Sequence, residues 1–190
     1  GYNFASSIVS AGHKVSIIDE SSKMGILLNK DITRTYSNAS DLIEDQPLLE
    51  VDSMDNVISS ASYLFFFPKI RKIGHEVKID ISSKFIDAIK PINNNTSIVY
   101  PLPTGIAGNE ENIDILEHTT GMTVGEKLNY YYMPLSSGPI LSTTTLLGNF
   151  NSKRDIFLEE ILKKFTNQEI NFVDVLSAEL AYVSRILRHY

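Results

Sequence analysis

Few residues in this chain have the type and spacing to do chemistry, and the first pair stands at its amino-terminal end. Gly1 precedes a run of apolar and small residues that ends at Gly12-His13, and Lys14-Val15-Ser16-Ile17-Ile18-Asp19 follows. A glycine at the mouth of a helix, then a strand closed by an acid, is half of a dinucleotide-binding unit. Its last glycine lets the helix pack closely on the strand, and its acid accepts hydrogen bonds from the adenosine ribose hydroxyls. Gly1 would be that glycine and Asp19, 18 residues on, the ribose acid. Asp19 would repel a 2′-phosphate, and its neighbour is Glu20 rather than an arginine, which suits NAD better than NADP. An acid at a strand end is also a plain strand-ending or cap residue, and both readings stand.

Further along, Pro68, Pro103 and Gly105 fall at the ends of predicted strands. Ligand crevices in α/β proteins lie at such carboxyl ends, yet proline and glycine punctuate turns in any fold. Glu179 could reach a ligand, although a surface or first-turn helix acid is the plainer reading. Tyr130-Tyr131-Tyr132 could stack on a base or sugar, but two of the three are expected to alternate across a strand into packing. His13, His75, His118 and His189 lack metal-ligand spacing and read as surface residues, so no metal site is predicted. With no cysteine there is no disulfide framework, cysteine zinc site, iron–sulfur cluster or thiol nucleophile. No serine–histidine–aspartate set can be claimed from sequence.

The elements that must position these residues alternate. A short helix over 2–12 and a strand over Lys14–Asp19 open the chain. A second short helix is predicted over 22–29, while 30–47 carries no clear pattern. Leu48–Val51 reads as a strand, Met54–Ser60 as a short helix, and the continuous apolar run Tyr63–Phe67 as a strand buried on both faces. A helix over 82–90 ends at Pro91. A strand over Thr96–Tyr100, a helix over 109–118, and strands over Leu128–Met133 and Leu146–Phe150 come next. An amphipathic helix over 152–165, a strand over Ile170–Val175 and a helix over 177–189 complete the series. Asn93-Asn94-Asn95 reads as a turn. This alternation predicts an α/β fold of Rossmann type, doubly wound on a mostly parallel sheet. At 190 residues one domain is the natural reading. Such a sheet needs a central first strand, which would lie ahead of Gly1, so the unit is expected to be incomplete there.

Composition narrows the partners. Seventeen lysines and arginines against 23 acids leave a net charge of −6, and no basic stripe suits nucleic acid. Lys69-Ile70-Arg71-Lys72 is the nearest approach and reads as a solvated loop. No apolar run nears the ~18 residues of a membrane span.

In order and spacing the chain resembles the UDP-glucose/GDP-mannose dehydrogenase family. Gly1-Tyr2 through Gly12-His13-Lys14-Val15 and Asp19 is similar to the family's opening. Ser59 to Pro68 resembles "ADVIFICVPTP", and Val99-Tyr100-Pro101-Leu102-Pro103-Thr104-Gly105 resembles "ESTVPPGT". Thr120 to Glu126 resembles "SGLKVGEDF", Tyr132-Met133-Pro134-Leu135 stands where "YSPE" belongs, and Gly138-Pro139 follows close behind. Leu147-Gly148-Asn149 lies where the family has a glycine pair, and Ser177-Ala178-Glu179-Leu180-Ala181 matches the start of "SAELAK". One- or two-residue slips against the family spacing, as near Pro68, would be explained by internal gaps in the chain.

The resemblance implies an NAD-dependent oxidoreductase that takes a nucleotide-sugar alcohol at C6 to a carboxylate in two oxidations. It implies a cofactor domain over 1–175 and, over 176–190, the start of a linking helix toward a further sugar-nucleotide part. Gly1, Asp19, Pro68, Pro103 and Gly105 would border NAD. A cytoplasmic location and a homodimer through the linking helix would accompany that reading. Several positions depart from the pattern. The "YSPE" glutamate falls on Leu135, which can do no proton work. The lysine after "SAELA" falls on Tyr182, a poorer stabiliser of oxyanion charge. The "VPTP" threonine falls on Lys69, and the serine and threonine of "EST" fall on Tyr100 and Pro101. No catalytic residue is therefore assigned. The alternative is a catalytically degenerate, non-enzymatic relative that binds a nucleotide or a protein partner. A dehydrogenase of the 3-hydroxyisobutyrate or 6-phosphogluconate type fits the Pro103/Gly105 segment and Pro134 less well.

Overall fold

The structure, a computed structural model, describes residues 4–5, 8–9, 12–17, 27–28, 35–36, 49–51, 58, 61–68, 70, 74, 76–134, 144–166 and 168–188. The chain divides into two compact units, Gly1–Val57 with Asp155–Asn167, and Ile58–Arg154 with Gln168–Tyr190.

In the first unit the β-branched run after Gly12 forms β1 (Val15–Ile17). It pairs in parallel with β4 (Leu49–Val51), Val15 opposite Leu49 and Ile17 opposite Val51. Ahead of it Phe4, Ala5, Ile8 and Val9 are helical and buried. Gly12 stops that helix with φ +88°, donating its N–H to Val9 O at 2.8 Å, a left-handed conformation that suits glycine. The predicted helix over 22–29 is corrected. Leu27–Leu28 is a strand, β2, antiparallel to β3 (Thr35–Tyr36). A short apolar run has too few residues to separate a period of 3.6 from a period of 2. The amphipathic helix is α3 (Ile156–Phe165), its apolar side carried by the buried Leu158, Ile161 and Leu162. His13, expected at the surface, is half-buried in this unit, its ring edge-on to Phe157 at 5.5 Å.

The second unit is a five-stranded sheet whose strands neighbour one another in chain order, with one helix between the first and second strands and another between the second and third. β5 (Tyr63–Phe65), β6 (Ser97–Tyr100) and β7 (Asn129–Tyr132) run parallel. β8 (Thr144–Asn149) turns antiparallel to β7, and β9 (Glu169–Asp174) lies parallel to β8. The sheet is mixed, mostly parallel and of Rossmann type. α1 (Glu76–Ile89) and α2 (Gly108–Thr120) flank β6, and α4 (Val175–Leu187) follows β9 directly.

The core lies around β6 and β7. All four residues of β6 are buried, because it has a strand on each side. Phe66, Phe85 and Tyr100 meet ring to ring at 5.1 to 5.6 Å, and Ile89, Ile98, Val99 and Leu116 are fully buried around them. Two expectations change here. The continuous run Tyr63–Phe67 yields only a half-buried β5, since the described residues pair it on one side alone. Tyr130, Tyr131 and Tyr132 are all buried, not two of three, because β7 is covered on both faces. α1 begins six residues before its predicted start. Its first turns carry an exposed Ile79 and the Lys84–Asp80 ion pair at 2.8 Å, so no apolar stripe announces them. The asparagine turn holds, with Asn95 at φ 74° donating its N–H to Lys127 O at 2.7 Å.

Candidate functional site

At Pro101 the chain leaves β6 and crosses to α2 through Leu102-Pro103-Thr104-Gly105-Ile106-Ala107. Gly108 donates its N–H to Gly105 O at 3.0 Å, closing a turn whose Ala107 sits at φ 62° as the N-cap of α2. Alanine has no side-chain oxygen to cap with, so the first N–H groups of α2 need partners from elsewhere. The partner is Glu179, which is 1% exposed. Its Oε2 accepts from Ala107 N at 2.7 Å, and its Oε1 from Asn109 N at 2.9 Å and Asn109 Nδ2 at 2.6 Å. Thr104 Oγ1 also donates to Oε1 at 3.5 Å and accepts from Asn109 Nδ2 at 2.8 Å. The fit is close, since a Cβ on Gly108 would stand 2.9 Å from Thr104 Cβ. Glu179, expected as a surface acid, is thus corrected to a buried one. It occupies the i+4 position of the face that Val175 begins and Ala178 and Tyr182 continue, and that face turns toward the sheet.

Beneath the loop lies a layer of tyrosines. Tyr130 donates its hydroxyl to Asn109 Oδ1 at 2.6 Å and accepts from Asn112 Nδ2 at 3.2 Å. Thr104 N donates to the Tyr132 hydroxyl at 3.2 Å. Burial raises the pKa of Tyr100 and Tyr132 and raises that of Tyr130 well above the usual phenol value. These phenols stay neutral near pH 7 and act as hydrogen-bonding groups, not as bases.

Three of the predicted site residues lie at one end of the sheet. Pro68 follows the carboxyl end of β5 and is half-buried, whereas Pro103 and Gly105 follow the carboxyl end of the parallel β6 and are exposed. A Cβ on Gly105 would meet nothing within 4 Å, so the space beside it is open. Gly1 and Asp19 lie outside the described residues, as do Lys69, Leu135, Gly138, Pro139, His75 and His189. Tyr100 and Pro101, where the resemblance expects hydroxyls, are buried, Tyr100 in the aromatic core. Tyr182 is half-buried and its phenol pKa is raised by burial. His118 is exposed. Among the described residues no group of histidine, aspartate and glutamate converges to hold a metal ion.

Asn109 and Asn112 were not singled out by sequence reasoning. Their signal was available: two asparagines one helical turn apart, both on the side of α2 that carries Leu116 inward. A cavity of about 10 Å³ lined by Gly125, Asn129, Tyr130, Tyr131, Asn149, Phe150 and Asn151 holds no more than a water molecule. The carboxyl ends of β5 and β6 carry Pro68, Pro103 and Gly105, the predicted site residues that fall within the described part of the chain. In the loop that follows β6, Pro103, Gly105, Ile106 and Ala107 are exposed and Thr104 is half-buried, while the anchors Asn109 and Glu179 are buried.

No protein-family model matches the chain, and a comparison with curated proteins finds no match. Solved structures do match it. GDP-mannose dehydrogenase from Pseudomonas aeruginosa, in a ternary complex, is 15% identical with a TM-score of 0.76, over 100% of this chain and 47% of that one. UDP-D-ManNAc dehydrogenase from Pyrococcus horikoshii is 13% identical with a TM-score of 0.71, over 95% of this chain and 46% of that one. A reductive aminase from Aspergillus terreus, in complex with NADPH and ethyl levulinate, is 10% identical with a TM-score of 0.65, over 99% and 56%. The chain spans about half the length of the structures it matches, and it shares their Rossmann-type fold.

Proposed function

We propose that this chain is the NAD-holding part of a nucleotide-sugar dehydrogenase of the UDP-glucose/GDP-mannose type, which oxidises a sugar alcohol at C6 to a uronate. The observation that carries this reading is the loop at the carboxyl end of β6, where Pro103, Gly105, Ile106 and Ala107 are exposed and the space beside Gly105 is open. Likeness of fold over the whole chain to two nucleotide-sugar dehydrogenases supports it. Residues 1–175 form the cofactor domain and 176–190 open the linking helix. Gly1, Asp19, Pro68, Pro103 and Gly105 border the dinucleotide, Asp19 at the adenosine ribose. NAD, when bound, supplies the hydride acceptor. The chain's own residues hold and orient. Thr104, Asn109 and Glu179 fix the loop that would form one wall, and Tyr132 and Tyr130 fix those anchors from below. The nucleotide sugar is bound in the full-length protein, whose nucleophilic cysteine would lie outside these cysteine-free residues. A cytoplasmic location goes with these ligands. A homodimer through α4 belongs to the same proposal, supported by the exposed Leu176, Leu180 and Leu187 along that helix.

A second reading is a relative that keeps the fold and has lost the chemistry. The burial of Tyr100 and the uncharged Tyr182 favour it. Calorimetric titration with NAD is the first test, with saturable binding as the expected outcome. No heat at millimolar NAD would remove both dinucleotide-binding readings and leave partner docking. A dehydrogenase assay of the full-length protein with UDP- and GDP-sugars then separates enzyme from relic.

A further inference from the structure

We propose that Glu179 is a positioning residue, an internal anion that fills the N-terminus of α2 and clamps the loop 101–107 to α4. Thirteen residues of α2 aim their dipole and their first N–H groups at this point. In many nucleotide sites a phosphate takes such a place. Here the place is taken from inside the fold. Among the described residues both carboxylate oxygens meet donors: Ala107 N on Oε2, and Asn109 N, Asn109 Nδ2 and Thr104 Oγ1 on Oε1. These donors belong to both ends of the exposed segment. Thr104 stands before Gly105 and Ile106, and Ala107 after them, so one side chain from α4 sets where the loop's backbone lies. The clamp is braced on its far side as well, because α4 sits hard against β8: a Cβ on Gly148 would fall 2.8 Å from Ala178 Cβ, next to Glu179.

The consequence is a rule of specificity. An end of the crevice whose helix N-terminus already holds a carboxylate repels a phosphate and receives an uncharged or cationic group. If the function proposed above is right, that group is the nicotinamide end of the cofactor and the pyrophosphate lies elsewhere. Only this last link rests on that function. The clamp itself rests on the geometry.

Glu179→Ala tests both. Amide hydrogen exchange should accelerate about tenfold or more from Thr104 to Asn109, with β6 and β7 unchanged, since the lost bonds are to a charged group. The emptied site should take an anion. Formate or acetate should slow that exchange and raise the melting temperature of Glu179→Ala while leaving the wild type unmoved. In NAD titrations the variant should bind about tenfold more weakly, with formate restoring affinity. Should Glu179→Ala not fold, Glu179→Gln carries the exchange test, because its NH2 must face a donor wherever it turns. Unchanged exchange over 104–109, acceleration spread evenly over the sheet, or no response to formate would overturn the clamp. A wild type that binds no NAD while exchange and formate behave as expected would sink the cofactor reading and leave the clamp standing.

Discussion

The helices α3 and α4 start differently from α2, although all three begin at the edge of a loop or strand. Asp155 caps α3 by accepting from Leu158 N at 2.9 Å, and Asp174 caps α4 by accepting from Ser177 N at 2.8 Å and Ser177 Oγ at 2.6 Å. Each cap sits three residues from its donor, within one turn. α2 takes its cap from Glu179, 72 residues past Ala107. A local cap fixes only its own helix. A remote cap makes one helix's start depend on another helix's placement, and so joins distant parts of the chain.

That contrast can be broken most strongly at its remote end. Glu179→Ala leaves buried donors without an acceptor and should lower unfolding free energy by about 3 kcal/mol, measured by urea denaturation. Gly148→Val should come next, at about 2 kcal/mol, because its Cβ would meet Val175 Cα at 3.0 Å as well as Ala178. By pushing α4 outward it should also speed exchange at Ala107, which a purely local overpacking would not do. Asp155→Ala removes a local cap and should cost about 1 kcal/mol, with faster exchange confined to the first turn of α3.

The subtlest test uses pH. Hydrogen bonds from Ser177, the side chain first and then the backbone, hold Asp174 below its ordinary 3.8. A group with its folded pKa depressed binds fewer protons folded than unfolded, so its stabilisation is present above pH 3.8 and fades as the pH falls below it. Wild type and Asp174→Asn should therefore differ in melting temperature near neutrality and converge in acid. A gap that stays constant down to pH 2.5 would remove Asp174 from the account.

The same contrast explains what could be read from residues alone. Runs such as Ser97–Tyr100 and Glu169–Asp174 declare strands, and Leu158, Ile161 and Leu162 declare a helix, because period and burial agree locally. Pro103 and Gly105 fall past the carboxyl end of β6, as turn-forming residues after a strand do, for the same local reason. Glu179 and Asn109 were not readable in this way. Their burial depends on α4 and α2 meeting across the sheet, and a charged residue at a helical i+4 position looks solvated until its partners are known. The short strand Leu27–Leu28 escaped because its pairing with Thr35–Tyr36 lies outside its own two residues.

The tyrosine layer under the loop has an optical consequence. The chain has nine tyrosines and no tryptophan, so tyrosine dominates its near-ultraviolet absorption and emission. Tyr130 and Tyr132 bond directly to Asn109 and Thr104, the residues that anchor the exposed segment. The loop 101–107 thus stands on its own chromophores, and its movements can be followed by light without any label.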